Sequence, residues 1–430
     1  MRRKTTDAQK VGARHETIDA SEARRETRDI RRVSSLSSCN LVSRLTSHAT
    51  APWPKVKLGD VAIGIYDGPH ATPPPCDKAG YYFLGIPQIT PAGHIDLSNP
   101  RYILKADYAK WTKRVVPCEG DVIFSYEATL NLYAMIPKDM RCCLGRRMGL
   151  VRPDTSKLDA RFLYYYFFSP EWRKTVVENT VVGATVDRLP IKTFPSFKIS
   201  LPPLPVQRRI ADVLSAYDDL IENNRRRIAI LEETARLAYR KWFGGANTAR
   251  TATLGKIAEI VMGQSPESKT YNANGEGLPF HQGVTGFGFR YPQNEMWCTT
   301  GTRHAEEGDI LFSVRAPVGR INVALERIVI GRGLAAMRAK NDCQSWLLYT
   351  LKHHFSKEDM IGVGCIFAST TKKELFSVEV PYPSTDEIVA FEQTVSPMDE
   401  QVKTLSKQSA ALAGARDMLL PRLMKGEMNV

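Results

Sequence analysis

The residue types that ordinarily carry chemistry do not assemble into a catalytic constellation in this sequence. His353 and His354 are adjacent, not four apart, so they lack the helical spacing that shares a metal ion. The eight cysteines include no CxxC pair and no Cys/His cluster at zinc spacing, and read as reduced thiols in a cytoplasm. There is no P-loop and no glycine-rich dinucleotide fingerprint. Leu201-Pro202-Pro203-Leu204 lacks the Asn and the aromatic residue of an NPPY-type methyltransferase motif. What remains is binding. Two long polar loops, DGPHATPPPCDKAG at 67–80 and MGQSPESKTYNANGEG at 262–277, differ from each other, and loops on a rigid scaffold are where recognition resides. Their candidate binding side chains are His70, Thr72 and Lys78 in the first, and Gln264, Ser265, Lys269 and Tyr271 in the second. Gln282, Arg303 and Arg315 join them, as do the arginines Arg146, Arg147 and Arg332. A net charge of +13 and a pI near 9.3 point to a polyanionic partner.

The elements that must position these loops occur twice. Leu58-Gly59-Asp60 answers to Leu254-Gly255-Lys256, EGDVIFS at 119–125 to EGDILFS at 307–313, and Gly145-Arg146 to Gly331-Arg332. The order is kept while the offset drifts from 196 to 188 to 186, as loop-length differences inside two copies of one fold produce. Short β-rich runs punctuated by Gly and Pro predict a mixed α/β (α+β) domain with an irregular sheet at 53–203, and a second at 250–381. Arg152 and Arg338 share a register, and two readings stand for them: bracing the fold through carboxylates, or binding.

After each domain comes a long amphipathic stretch, at 204–246 and 382–430. In the first, a seam runs through Ile210, Leu214, Tyr217, Ile221, Asn224, Ile228 and Leu231. A shift of 181 places Phe391, Val395, Met398, Val402, Leu405, Ser409 and Leu412 on the same seam, so the two stretches are expected to pair as a coiled coil. Ser215 followed by Asp218 resembles a capping pair, which predicts a short helix at 206–214 and a long one at 216–242 of roughly 40 Å. Ser396, Pro397 and Asp399 repeat that pattern, with the proline at the first position of a new helix.

Residues 1–52 read as a disordered basic N-terminal extension; no aromatic residue occurs in the first fifty. No apolar run approaches membrane-spanning length.

Taken together, these motifs resemble the specificity subunits of type I restriction–modification systems. PPLPVQRRIADVLSAYDDLIENNRRRI at 202–228 is similar to that family's central conserved helix, and LLPRLMKGE at 419–427 to its C-terminal end. DGPHATPPP with GIPQITPAGHID looks like one class of target-recognition domain. GQSPESKTYN, LPFHQG, GDILFSVRAPVG and IGRGLAA look like another. The resemblance implies two target-recognition domains separated by two long conserved helices in an antiparallel coiled coil. It gives the loop residues above a role in reading double-stranded DNA, with a target split by an unread spacer. It also implies partners: two modification subunits, which use S-adenosylmethionine, and restriction subunits, which use ATP and Mg²⁺, with no cofactor in this chain. Two features depart from the family: the extension before Trp53, and VPYPSTDEIVAFEQTVSPMDEQV, which lacks the usual PPL…Q opening. The alternatives are a self-contained restriction or methylation enzyme and a coiled-coil adaptor; methyltransferase and helicase genes beside this one would separate them.

Overall fold

Short runs such as Val122–Ser125 and Ile310–Ser313, buried on both faces, can only be central strands, and each lies at the middle of its own sheet. The computed structural model describes residues 53–74, 76, 80–183, 185–244, 250–356 and 369–428; the extension of residues 1–52 lies outside them. It divides into two units, one running to Ser215 and resuming at Arg416, the other Ala216–Ala415.

In the first unit, β1 (Lys55–Lys57) pairs with β9 (Lys198–Ser200). The strands β2 (Ala62–Asp67), β5 (Val122–Ser125), β6 (Tyr133–Met135) and β8 (Met148–Pro153) form an antiparallel sheet in the order β2-β8-β5-β6. A second sheet sets β3 (Tyr81–Leu84) between β4 (Tyr102–Ile103) and β7 (Cys142–Leu144), with β3 and β7 parallel. The helices α1 (Tyr108–Trp111), α2 (Ala160–Tyr166) and α3 (Pro170–Asn179) complete the domain. Its core is aromatic, centred on Trp172, Phe162, Phe167 and Phe194, all fully buried.

The second unit repeats this plan. β10 (Thr251–Thr253) pairs with β20 (Glu379–Pro381), flanked by α5 (Leu254–Ile257) and α7 (Lys372–Ser377). The strands β11 (Ala258–Met262), β16 (Ile310–Ser313), β17 (Ile321–Val323) and β19 (Leu334–Ala339) take the order β11-β19-β16-β17. A further sheet holds β12 (Tyr271–Asn272), β13 (Leu278–His281), β14 (Trp297–Cys298), β15 (His304–Ala305) and β18 (Ile328–Ile330), with β13 and β18 parallel. α6 (Gln344–Ser356) supplies the buried Trp346, Leu347 and Leu351.

The repeat extends to single hydrogen bonds. In both EGD corners the glycine has positive φ, +83° at Gly120 and +88° at Gly308, a conformation that favours glycine. The next residue, Asp121 or Asp309, accepts the amide three residues back at 2.9 and 2.8 Å. It also pairs with the arginine of the shared register. Arg152 donates to both Asp121 oxygens at 2.8 and 2.7 Å, and Arg338 to Asp309 at 2.8 Å. Of the two readings of Arg152 and Arg338, the geometry selects bracing.

The long stretches differ from expectation. Each is one unbroken helix, α4 (Leu204–Phe243) and α8 (Thr385–Met424), 40 residues apiece and about 60 Å long. Ser215 caps nothing: its hydroxyl donates to the Asp212 carbonyl inside the helix. The true start of α8 is a capping box at Ser384, which shares hydrogen bonds with Glu387 through side chain and backbone. Pro397 therefore lies in mid-helix, where it removes one backbone bond and costs about 3 kcal/mol. The buried Val395 and Val402 on either side keep the helix whole. Pro397→Ala is expected to raise the opening free energy of α8 by about 2 kcal/mol, part of the gain being lost to a freer unfolded chain. Amide exchange along α8 measures this, and a decrease would contradict it.

Each unit contains one end of the helix pair. In the first, Ile210, Ala211 and Leu214 share a core with Leu420, Leu423 and Met424. In the second, Ala235, Tyr239 and Phe243 share one with Ile388, Phe391 and Val395, and the Phe391 ring meets Phe243 edge-on at 5.4 Å. The start of α4 thus meets the end of α8, and the reverse, so the two helices run antiparallel. Between these ends Asn224, Val402 and Leu405 are buried, while Tyr217, Ile221, Ile228, Leu231, Met398 and Leu412 are half-buried.

The missing PPL…Q opening has a substitute. In the first unit, buried Gln207 of α4 accepts the Asp159 amide, and Asp159 caps α2. Ile388 stands at the matching position of α8, and Glu392, one turn on, accepts the Ser345 and Trp346 amides that open α6.

Candidate nucleic-acid interface

Both variable loops leave their domains through one piece of backbone geometry. Gly68 follows β2 and donates its amide to Met148; Gly263 follows β11 and donates to Leu334. A β-carbon on Gly68 would lie 2.2 Å from the Gly145 carbonyl oxygen, and one on Gly263 would lie 2.1 Å from that of Gly331. No side chain fits at either point. The second glycine of each pair is held by the neighbouring sheet, Gly145 to Leu84 and Gly331 to His281. The residue after it is an exposed arginine, Arg146 or Arg332. Two rigid Gly–Arg corners thus present one cation each beside the root of a loop that differs between the domains.

Around the second corner the candidates converge. The Ser265 hydroxyl donates to Gln282 at 2.8 Å and accepts the Arg332 amide at 3.3 Å, while the Gln264 amide is held by Ile330. A cleft of about 420 Å³ opens here, lined by Gln264, Ser265, Lys269, Thr270, Thr300 and Thr302 among others. Tyr271 supports the loop, its hydroxyl on the Pro266 carbonyl and its ring 4.6 Å from Phe280. Lys269 pairs with Glu267. Arg303 and Arg315 are exposed; Arg303 accepts the Ile330 amide through its carbonyl, and Arg315 follows Val314, which is bonded to Gly333.

The first corner is built from other groups. His70 lies 3.0 Å from Asp67, which also takes Arg114, and Thr72 is exposed beyond them. Arg147 pairs with Glu127 at 3.3 Å, and Tyr126 donates its hydroxyl to the Arg146 carbonyl at 2.6 Å. Burial pushes the Tyr126 phenol up to about 12, so it stays a donor. Lys78 lies outside the described residues. Sequence reading missed Asp67 and Arg114, which are 47 residues apart and carry no shared motif. It also missed two cations on the β3 sheet, where Arg101 packs over the buried Phe83 and Arg141 over Tyr81.

His281, at the base of the second corner, is buried and shares a 3.0 Å bond with Asn294. Burial holds its imidazole below the ordinary 6.5. The unfolded chain therefore takes up the proton first, so the stability this group contributes is complete above 6.5 and is lost as pH falls through that value. The opening free energy of β13 and β18, read from amide protection factors corrected for the intrinsic pH dependence of exchange, should fall below pH 6.5, and His281→Gln should remove that dependence. An unchanged pH profile in the variant would contradict it.

Among the described residues, no group of three or more His, Cys, Asp and Glu could hold a metal ion, and no helix is long and apolar enough to cross a membrane.

The two domains thus share a Gly–Arg corner and differ in the loop beside it. Residues 51–233 match the family described as Type I restriction modification DNA specificity domain. The putative type I restriction enzyme MjaX specificity subunit of Methanocaldococcus jannaschii is 29% identical over 384 residues, 82% of this chain and 88% of that protein. Among solved structures, the HsdS subunit from Thermoanaerobacter tengcongensis is 30% identical, with 87% of this chain and 97% of that one covered and a TM-score of 0.36. The type I S subunit from M. genitalium is 16% identical over 88% and 98%, with a TM-score of 0.55, a likeness of fold. The chain belongs to the type I restriction–modification specificity-subunit family.

Proposed function

We propose that this chain gives a type I restriction–modification complex its DNA sequence specificity by reading a two-part duplex target, one part with each domain, without catalysing any step itself. The observation that carries this reading is the pair of matched Gly–Arg corners, each beside a loop of its own. A shared scaffold suits two sites of one kind, and unmatched loops suit two different base sequences. Base edges in the major groove are told apart by bidentate and hydroxyl contacts, which Arg332, Gln264, Gln282 and Ser265 can make in one domain and Arg146, His70 and Thr72 in the other. Half-sites read from one face of a duplex lie about 34 Å apart, one helical turn, and the paired helices α4 and α8 would keep the readers at a fixed spacing. Two modification subunits, using S-adenosylmethionine, would supply methylation. Restriction subunits, using ATP and Mg²⁺, would supply cleavage, in the cytoplasm.

Methyl transfer to DNA by the purified chain should therefore be at background and should appear when a modification subunit is added. Transfer by the chain alone, with S-adenosylmethionine present, would overturn the reading.

A further inference from the structure

The second domain carries a buried ionic node that its reading role does not account for. Arg290 donates to Glu232 of α4 at 2.6 Å and reaches Asp399 of α8 at 2.7 Å. Lys352 of α6 donates to the other Glu232 oxygen at 2.8 Å. The Tyr349 hydroxyl donates to Asp399 at 3.1 Å and lies 3.4 Å from Arg290. Two cations and two anions from four segments meet here, with the Arg290 side chain 4% exposed and Glu232 9% at the centre, and Asp399 14% and Lys352 27% towards the rim.

The segment that brings Arg290 there begins and ends at the reading edge. It leaves at His281 and Gln282, where Gln282 is bonded to Ser265 and its carbonyl to the Gly333 amide. A tight turn follows, closed by Gln293 to Gly286 and Gly288 to Tyr291, with Arg290 inside it. The chain returns at Asn294, whose side chain meets His281. The Arg290 carbonyl is also fixed to the Val323 amide of β17. In the first domain, the segment between β3 and β4 makes a different contact, its Gly93 carbonyl accepting the Tyr164 hydroxyl of α2 at 3.1 Å.

Buried ion pairs are a poor source of stability, since apolar residues of similar volume hold two surfaces together as well or better. An ionic node adds direction: a planar guanidinium between two carboxylates fits in one orientation only. We infer that Arg290 is a positioning residue, which locks the reading edge of the second domain to both long helices in one orientation and so makes the complex strict about spacer length. This rests on the two-part reading proposed above. Arg290 need not touch DNA, and its loss should leave the bases preferred in each half-site unchanged.

The test uses the full chain assembled with its modification subunits. The methylated target is mapped first, and then duplexes are made that keep both half-sites and vary only the spacer. Two variants are compared with the wild type: Arg290→Lys, which keeps the charge and loses the fork, and an apolar set, Arg290→Met with Glu232→Leu, Lys352→Met and Asp399→Leu. Both should prefer the same bases as the wild type, while the preference for the native spacer over one a base pair longer or shorter falls by about tenfold in the apolar set, equivalent to about 1.4 kcal/mol. Arg290→Lys should change it in the same direction. If the apolar set fails to fold, Arg290→Lys alone decides. Folded variants with wild-type spacer preference would overturn the inference and leave the two-part reading standing. A wild-type complex indifferent to spacer would overturn that reading, and the inference with it.

Discussion

Arg152→Ala should lower the opening free energy of strands β5 and β8 by about 3–5 kcal/mol, because it strips a buried carboxylate of its cation. The Asp121 side chain it leaves behind is 1% exposed, and among the described residues Arg152 is its ion-pair partner. Arg152 satisfies both carboxylate oxygens at once and also donates to the Val116 carbonyl at 2.8 Å. Asp121 in turn holds its guanidinium far above the ordinary arginine range. The matched change in the second domain should be milder, about 1–3 kcal/mol. Arg338 is 48% exposed and makes one bond to Asp309, and burial already pushes the Asp309 carboxyl up against the pull of Arg338. With the arginine gone, that carboxyl can take a proton instead of remaining as a bare charge. Amide exchange in the full chain reads the two sheets separately, β5 with β8 and β16 with β19. Equal losses, or a larger one for Arg338→Ala, would show that register alone sets the strength of the brace.

This pair of braces shows how far the sequence could be read. The register of EGD and its arginine was legible because both copies keep it, and the pairing with aspartate needed only the structure's distances. The amphipathic stretches were legible for the same reason, a seam that repeats at a fixed shift. Their breaks were misread. Ser215 and Pro397 carry strong local signals, but a helix end is decided by whether packing continues past it, and Val395 and Val402 continue it here. The real capping signal, Ser384 with Glu387, stood in the sequence as an S-x-x-E pattern and went unused. The candidate interface was half legible. Ser265, Gln282 and Arg332 come together because three short motifs flank one corner, whereas Asp67 with Arg114, and Arg290 with Glu232, join residues 47 and 58 apart with no common pattern. Pairs of that kind are set by the fold's topology and by nothing in the local sequence.

The central claim is that each domain reads its own half of a split target. Two complexes with modification subunits would carry alanine sets, one at Gln264, Ser265, Gln282 and Arg332, the other at His70, Thr72 and Arg146. None of these side chains belongs to the buried cores, so the domains should stay folded. A well-made base contact contributes about 1–3 kcal/mol of discrimination, so each set should erase most base preference where it acts. Methylation mapped at single-base resolution over a randomised target library is the measurement. The account predicts that the first set makes one half of the target degenerate and leaves the other half and the spacer as they were, and that the second set does the converse. Loss of preference in both halves from either set, or loss in the same half from both, would contradict it.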